Sequence, residues 1–276
     1  MSYRDILYSV RDHIATVSLN RPHVSNGYTC TMGTELGAAI TAADNNPEVR
    51  AIILTGEGSD FCVGMDLCSG FTAPPPEHDW LEPAGQCSQR IFECHKPVIA
   101  AIRGAAIGAG STIILPADYR IAATDSRFGY VFTRRGFFPE GASTWHLPRI
   151  VGMGCAMDWM LTGRVFPAAE ALASGLVHRV VEPDEVLPAA QQYARDLITN
   201  TAPVSVAVTR QMLLRLSAYD TPYPAHTLES KLIAGLVTSP DAAEGIMSFL
   251  QRRTPNFPGR VPADIPTIVG WEAASD

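Results

Sequence analysis

The sequence has no run of basic residues and little charge of either sign. Charged residues make up 18% of its 276 residues, and 28 acidic residues outnumber 21 basic ones, for a net charge of −7. Proteins that bind nucleic acid or anionic membrane surfaces through their own field need the opposite balance. We therefore expect neither partner, and a polyanionic ligand would need local basic residues.

Long apolar segments and paired cysteines are also missing. The longest apolar run, residues 105–115, contains Gly108 and Gly110 and is too short to cross a bilayer. Residues 1–8 are polar and charged where a secretory signal needs an apolar core. The six cysteines form no Cys-x-x-Cys pair, and with the seven histidines they show no metal-ligand spacing. We expect a cytoplasmic chain with reduced thiols, no membrane insertion and no metal.

Hydrophobic residues, 46% of the chain, are sufficient for a large buried core. Up to about residue 200, short apolar segments alternate with segments of helical period, which predicts an α/β architecture with strands buried on both faces. The predicted strands are residues 6–10 and 13–19 (a hairpin), 51–54, 98–102, 119–123 and 177–181. The predicted helices are residues 31–43, 86–94, 109–115, 142–150, 155–161, 168–174 and 186–199. Three consecutive prolines predict an exposed loop or lid over residues 70–83.

The last quarter of the chain has only helical patterns. Residues 204–216, 225–237 and 241–252 repeat apolar positions with helical period. We therefore divide the chain into a core at residues 1–200 and a helical region at residues 201–276.

Two segments share the form of a strand, a glycine-containing turn and a helix start. Residues 61–67 are Phe-Cys-Val-Gly-Met-Asp-Leu, and residues 103–110 are Arg-Gly-Ala-Ala-Ile-Gly-Ala-Gly. Neither a P-loop lysine nor the glycine spacing of a dinucleotide site is present. Glycine lets a backbone approach a ligand closely, and free N–H groups there suit a negative oxygen. On spacing alone, a role only in tight packing stays open.

Taken together, about forty residues apart, these two turns resemble the enoyl-CoA hydratase/isomerase (crotonase) family. Further blocks in the family's order are residues 20–22, 49–56, 116–118, 161–164, 175–177 and 241–257. The resemblance implies a ββα spiral core with a C-terminal helical trimerisation region, assembled as a homotrimer or a dimer of trimers. It also implies an acyl-CoA thioester as substrate, with coenzyme A as part of that substrate and no separate cofactor.

The resemblance assigns the two turns to an oxyanion hole, with the backbone N–H groups of Met65 and Ala109 as donors. Removing a proton beside a thioester carbonyl puts negative charge on its oxygen, and two aimed N–H donors stabilise that charge most in the transition state. The family more often has Ala and Gly at these two positions. Further substrate contacts are expected from neighbours in the same turns: Val63, Gly64, Asp66, Gly108 and Gly110.

The acid–base residues depart from the family's hydratase pattern. Hydratases of the family use two glutamates, and the corresponding positions hold Thr112 and Phe132. Neither side chain exchanges a proton near neutral pH. The usual hydration machinery is therefore missing.

Glu140 lies in a Pro-Glu-Gly segment that resembles the peroxisomal-type 3-enoyl to 2-enoyl-CoA isomerases. A carboxylate between Phe137 and Phe138 on one side and a helix on the other should have a raised pKa, which suits proton transfer. One such base can move a proton from C2 to C4. On the residues alone, a capping carboxylate at the start of the next helix is an equal alternative, and the resemblance favours catalysis.

Four other residues have two interpretations each. Phe132 and Trp145 form either an acyl-chain wall or core, and Arg21 either contacts the phosphates of coenzyme A or lies on the surface. Asp66 either contacts substrate or holds its loop.

Three functions stay open. The first is isomerisation of an enoyl-CoA double bond with Glu140 as the base. The second is hydration, or a related lyase reaction, with Glu140 and bound water. The third is acyl-CoA binding without catalysis. Thioester hydrolysis and dehalogenation also occur on this fold, so the fold alone does not exclude them.

Overall fold

The computed structural model describes residues 3–68 and 80–267, where strands and helices alternate. The strands are β1 (Ile6–Arg11), β2 (Ile14–Leu19), β3 (Ala51–Gly56), β4 (Val98–Ile102), β5 (Ala105–Ile107), β6 (Tyr119–Ala123), β7 (Arg127–Gly129), β8 (Val165–Pro167) and β9 (Arg179–Val181). The helices are α1 (Cys30–Asn45), α2 (Pro83–Glu93), α3 (Ala109–Thr112), α4 (Ser143–Val151), α5 (Met153–Thr162), α6 (Ala168–Ala173), α7 (Val186–Thr199), α8 (Pro203–Leu216), α9 (Tyr223–Leu236) and α10 (Pro240–Gln251). The predicted α/β class is confirmed.

The main sheet has the order β1-β2-β3-β4-β6-β9, and a smaller sheet has the order β5-β7-β8. In the main sheet only β1 and β2 pair antiparallel, through a turn whose residues Asp12 and His13 both have positive φ, 50° and 63°. Such a two-residue turn matches the twist of the strands. His13 is therefore a turn residue, and the predicted strand at residues 13–19 begins at Ile14.

The central strands are buried on both faces, as the continuous apolar segments predicted. In β4, Val98 and Ala100 pack on the side of α1 and α2, while Ile99 and Ala101 pack against α7. Because successive side chains of a strand point to opposite faces, an all-apolar strand needs a layer on each side. The sheet thus has a fixed position between two helical layers.

Several predicted elements differ from the structure in their bounds. The helix predicted at residues 109–115 ends at Thr112 and continues as tight turns, and the strand predicted at 177–181 begins at Arg179. The strands β5, β7 and β8 were not predicted, since three residues are too few to show a period of two. Residues 70–79 of the predicted loop lie outside the described residues.

The C-terminal helices are tied to the core by a buried arginine. Arg210 of α8 donates to Asp118 at 2.8 Å and to the carbonyl oxygens of Ile91, Phe92 and Cys94 at the end of α2. The side chain is 5% exposed. One guanidinium thus satisfies carbonyls that α2 leaves free at its end.

Helices α9 and α10 expose large apolar side chains, among them Phe249 (82% exposed) and Leu250 (68%). Exposed apolar clusters are typical of surfaces that contact another protein. The assembly role of residues 201–276 stays a prediction. Over the described ranges, no helix is both long and apolar enough to span a bilayer.

Replacing Arg210 with Met should cost about 3–5 kcal/mol of unfolding free energy, because Asp118 loses its ion-pair partner and the Ile91 carbonyl loses the guanidinium donor. Denaturant unfolding measures this. The control is Arg195→Met on α7, an exposed arginine whose guanidinium donates to Gln192, one helical turn away. Equal midpoints for the two variants would show that Arg210 does not hold α8 to the core.

Candidate active site

The two glycine-containing turns meet because β3 and β4, which precede them, are parallel neighbours. Cys62 and Ala106 pair as a parallel bridge. The Cys62 N–H donates to the Ala105 carbonyl at 2.8 Å, and the Ile107 N–H donates to the Cys62 carbonyl at 2.9 Å. The two turns therefore form one continuous backbone surface.

Glycine is required where these turns touch. A Cβ on Gly110 would lie 2.3 Å from the Cys62 carbonyl oxygen, and one on Gly64 would lie 3.0 Å from the Ile107 oxygen. Gly64 and Gly108 also have positive φ, 94° and 56°, which side chains disfavour. A Cβ on Gly108 would be 3.5 Å from the Gly64 Cα. The backbone atoms next to these glycines, at Met65 and Ala109, are consequently close neighbours.

Met65 and Ala109 each have a free N–H for a local structural reason. Met65 pairs with Tyr28 in a parallel bridge, in which Tyr28 donates to Gly64 at 2.7 Å and accepts from Asp66 at 2.9 Å. The hydrogen bonds of this bridge are made by Gly64 and Asp66, so the N–H of Met65 does not take part in it. Ala109 is the first residue of α3, whose N–H has no acceptor within the helix. In the described part of the chain, neither N–H has a recorded acceptor.

Glu140 lies beside the second turn. The Thr112 hydroxyl donates to Glu140 Oε1 at 2.6 Å and is 3.1 Å from the Ala109 carbonyl oxygen. The helix after Glu140 begins with Ala142 at its N-cap, and no side chain caps it. The alternative of a capping carboxylate is therefore wrong, because the side chain points to α3.

A second carboxylate, which the sequence analysis missed, lies next to Glu140. Glu82 caps α2 by accepting the Gly85 N–H at 2.5 Å, and its other oxygen accepts the Gly141 N–H at 2.7 Å. The Glu82–Pro83 start of α2 has a recognisable capping pattern. No local pattern, however, indicates contact with residue 141, far along the chain.

Burial and the neighbouring carboxylate of Glu82 raise the pKa of Glu140 from 4.5 to about 8, while the Thr112 hydrogen bond lowers it in part. The predicted direction of the pKa shift is confirmed, and burial is its largest cause, but Phe137 and Phe138 are not the residues that supply the burial. Phe137 and Phe138 are 63% and 81% exposed and do not bury the carboxyl group. A carboxyl group with a pKa near neutrality can both release and accept a proton.

The first turn is held by an ion pair. Arg21 donates to Asp66 at 2.9 Å and to the Gly27 carbonyl, and Asp66 also accepts the Cys68 N–H at 3.1 Å. Asp66 thus holds its loop, and Arg21 is mostly buried. Val63 in the same turn is 41% exposed. Contacts of Arg21, Asp66 and Val63 with substrate stay predictions.

Both aromatic candidates are packed in the structure. Phe132 is half-buried, and its Cζ lies 4.0 Å from where a Cβ on Gly108 would be. Trp145 packs edge-on against Phe92 with ring centroids 5.9 Å apart, and Arg149 lies 4.0 Å from its ring centroid. Phe132 thus borders the second turn, and the acyl-chain role of either residue stays a prediction.

Within residues 3–68 and 80–267, no three His, Cys, Asp or Glu side chains are grouped as a metal site. The cysteines are all free thiols, and Cys62, Cys87 and Cys94 are buried. The site brings together two carboxyl groups, a hydroxyl and two backbone N–H groups.

Replacing Gly110 with Ala should destabilise the protein by about 1–3 kcal/mol or more, because the new Cβ must displace the Cys62 carbonyl. Gly235→Ala is the matched control. This exposed glycine of α9 has open space around it, so Ala there should be neutral or stabilising by up to about 1 kcal/mol. Thermal unfolding of both variants measures the difference. Similar midpoints would mean that the two turns can move apart without a loss of stability.

Comparison with known proteins agrees with this geometry. Residues 9–260 match the family model described as enoyl-CoA hydratase/isomerase. An enoyl-CoA hydratase of Alternaria alternata is 38% identical over 248 residues, which are 89% of this chain and 83% of that protein. The 1,2-epoxyphenylacetyl-CoA isomerase of Escherichia coli is 31% identical over 271 residues, 92% of this chain and 98% of that one.

Among solved structures, a probable enoyl-CoA hydratase/isomerase from Mycobacterium abscessus superimposes with a TM-score of 0.84 at 36% identity, covering 92% of this chain and 98% of that chain. The family match at residues 9–260 spans both glycine turns and helices α8 to α10, and the predicted crotonase-like fold is confirmed. The chain belongs to the enoyl-CoA hydratase/isomerase (crotonase) family of enzymes.

Proposed function

We propose that this enzyme isomerises a 3-enoyl-CoA to a 2-enoyl-CoA, with Glu140 as the base and the N–H groups of Met65 and Ala109 as the oxyanion hole. One observation carries the proposal. The Thr112 hydroxyl donates to the carboxylate of Glu140 and also lies 3.1 Å from the carbonyl oxygen of Ala109. Ala109 is the residue whose N–H completes the proposed oxyanion hole. A proton acceptor and an oxyanion site are therefore adjacent.

The proposed reaction needs only one proton carrier. Ionised Glu140 takes a proton from C2, and the electrons of that C–H bond form an enolate whose charge lies on the thioester oxygen. The N–H groups of Met65 and Ala109 stabilise this charge. Glu140 then returns the proton to C4, so the double bond moves from C3–C4 to C2–C3 without loss or gain of atoms.

Hydration is the second candidate, and two observations favour it. The Alternaria alternata relative is named a hydratase, and Glu82 adds a second carboxylate to the site. Hydration must activate water as well as move a proton, which two carboxyl groups are able to do. The products separate the candidates, because only hydration of a 2-enoyl-CoA gives a saturated 3-hydroxyacyl-CoA. Since the chain belongs to a family of enzymes, the non-catalytic alternative is set aside.

We also propose that the chain assembles as a homotrimer or a dimer of trimers. The support is the family resemblance together with the exposed apolar residues of α10, among them Ile246, Phe249 and Leu250. A monomer that left these side chains in water would be prone to association.

Glu140→Gln should lower the turnover of a 3-enoyl-CoA by about 10²–10⁴-fold, because the amide cannot accept the C2 proton. Ultraviolet absorbance of the conjugated thioester follows the reaction. The control is Glu93→Gln, which also removes one carboxylate but lies at the C-terminal end of α2. This variant should retain activity. Unchanged activity of Glu140→Gln would exclude Glu140 as the base. Conversion of a 2-enoyl-CoA to 3-hydroxyacyl-CoA, with no isomerisation, would establish hydration instead.

The rate constant kcat/KM for isomerisation should rise with pH and level off above about pH 8, because the ionised form of Glu140 is the base and its pKa is raised to about 8. Below that pH the rate should fall about tenfold per unit, since each unit removes nine-tenths of the ionised form. Initial rates from about pH 6 to about pH 9 measure the profile. A flat profile in this range would mean that the base titrates elsewhere.

A further inference from the structure

The backbone that follows Glu140 is fixed from α2. Glu82 accepts the Gly141 N–H at 2.7 Å, and the Ser88 hydroxyl donates to the Gly141 carbonyl at 2.8 Å. Gly141 and Ala142 have φ of 67° and 53°, so the chain turns sharply here in a left-handed conformation. Such conformations persist where surrounding contacts fix them. The direction of the Glu140 side chain therefore depends on α2.

Glu82 is itself held in one orientation. Its second oxygen accepts the Gly85 N–H at 2.5 Å, so both oxygens are bonded to backbone donors. On the opposite side of the pair, Thr112 donates to Glu140 at 2.6 Å. Burial and the neighbouring carboxylate of Glu82 raise the pKa of Glu140 to about 8. Glu140 thus lies between a fixed hydroxyl donor and a fixed carboxylate acceptor.

We propose that Glu82 is a positioning residue, whose carboxylate fixes the Gly141 backbone and shares one proton with Glu140 so that Glu140 carries that proton at rest. The inference deepens the proposed isomerisation and rests on it for the role of Glu140. It assigns Glu82 no contact with substrate.

The other titratable groups that face this pair are neutral. Tyr28 precedes α1, Cys62 lies in the first turn and Cys87 lies on α2. Burial raises the pKa of Cys62 to about 12 and also raises the pKa values of Tyr28 and Cys87. Among the described titratable groups that face Glu140, Glu82 is therefore the charged one.

This charge makes Glu140 a stronger base. With both side chains ionised, two neighbouring negative charges repel each other, and proton uptake by Glu140 relieves the repulsion. When a proton moves from C2 to Glu140, the negative charge leaves the carboxylate pair and appears on the thioester oxygen, where the N–H groups of Met65 and Ala109 receive it. The repulsion is relieved as the transition state forms, which favours the reaction.

The test is the pH profile of isomerisation in Glu82→Gln. Gln retains the length and an oxygen that accepts an N–H, but it removes the charge. We expect the rising limb of kcat/KM to move about one unit or more to lower pH. Glu93→Gln, on the same helix, should leave the limb in place. Glu82→Asp keeps a good helix cap, but its carboxylate is one methylene shorter and therefore farther from both Gly141 and Glu140. Its stability should be retained, while its rising limb moves in the same direction by a smaller amount, because the charge is weakened at Glu140 and not removed.

An infrared titration tests the inference without any turnover. The protonated carboxyl band of Glu140, identified by its loss in Glu140→Gln, should be present at neutral pH in the unmodified enzyme and weakened in Glu82→Gln. A weakened band in an enzyme without isomerase activity would support the role of Glu82 and reject the proposed function. The inference would be overturned if both Glu82 variants had the same pH profile of kcat/KM and the same infrared band of protonated Glu140 as Glu93→Gln. If Glu82→Gln fails to fold, Glu82→Asp decides in the same way.

Discussion

The contact between the two glycine turns is the constraint on which the rest of the site depends. Gly110 lies so close to the Cys62 carbonyl that a methyl group would be 2.3 Å from it. Only this approach brings the two N–H groups, at Met65 and Ala109, to one place, and the parallel arrangement of β3 and β4 holds both turns at the same edge of the sheet. Burial of β4 on both faces fixes that edge. The burial of the apolar core and the geometry of the proposed oxyanion site therefore depend on the same packing of strands and turns.

Burial in the same core also raises the pKa of the carboxyl group of Glu140. A carboxyl group inside this core loses hydration, which favours its neutral form, and a second carboxylate nearby adds to the effect. Glu82 accepts two backbone N–H hydrogen bonds, whereas Glu140 accepts one hydrogen bond from a hydroxyl and faces the carboxylate of Glu82. Two side chains of the same type thus have different roles because their hydrogen-bond partners differ.

Elements with long, regular patterns could be predicted from the sequence. The contact of the two turns and the position of Glu140 beside the second turn agree with the sequence pattern, while the catalytic role of Glu140 stays a prediction. The buried strands β3, β4 and β6 and most of the helices lie within a few residues of their predicted positions. Three-residue strands such as β7 could not be predicted, because their pairing depends on neighbours and not on their own residues. The partnership of Glu82 with Glu140 could not be predicted either. It requires the start of α2 to lie against the start of α4, which is a property of the tertiary packing.

Thr112 shows how the site differs from the hydratase pattern without losing its proton chemistry. It occupies the position where the resemblance places a hydratase glutamate, and its hydroxyl donates to Glu140. That hydrogen bond lowers the pKa of Glu140, while Glu82 raises it. A longer acidic side chain at position 112 would add a third carboxyl group to the pair and increase the repulsion. A small hydroxyl at position 112 therefore accommodates the carboxyl group of Glu140, and the side chains at positions 112 and 140 are physically coupled.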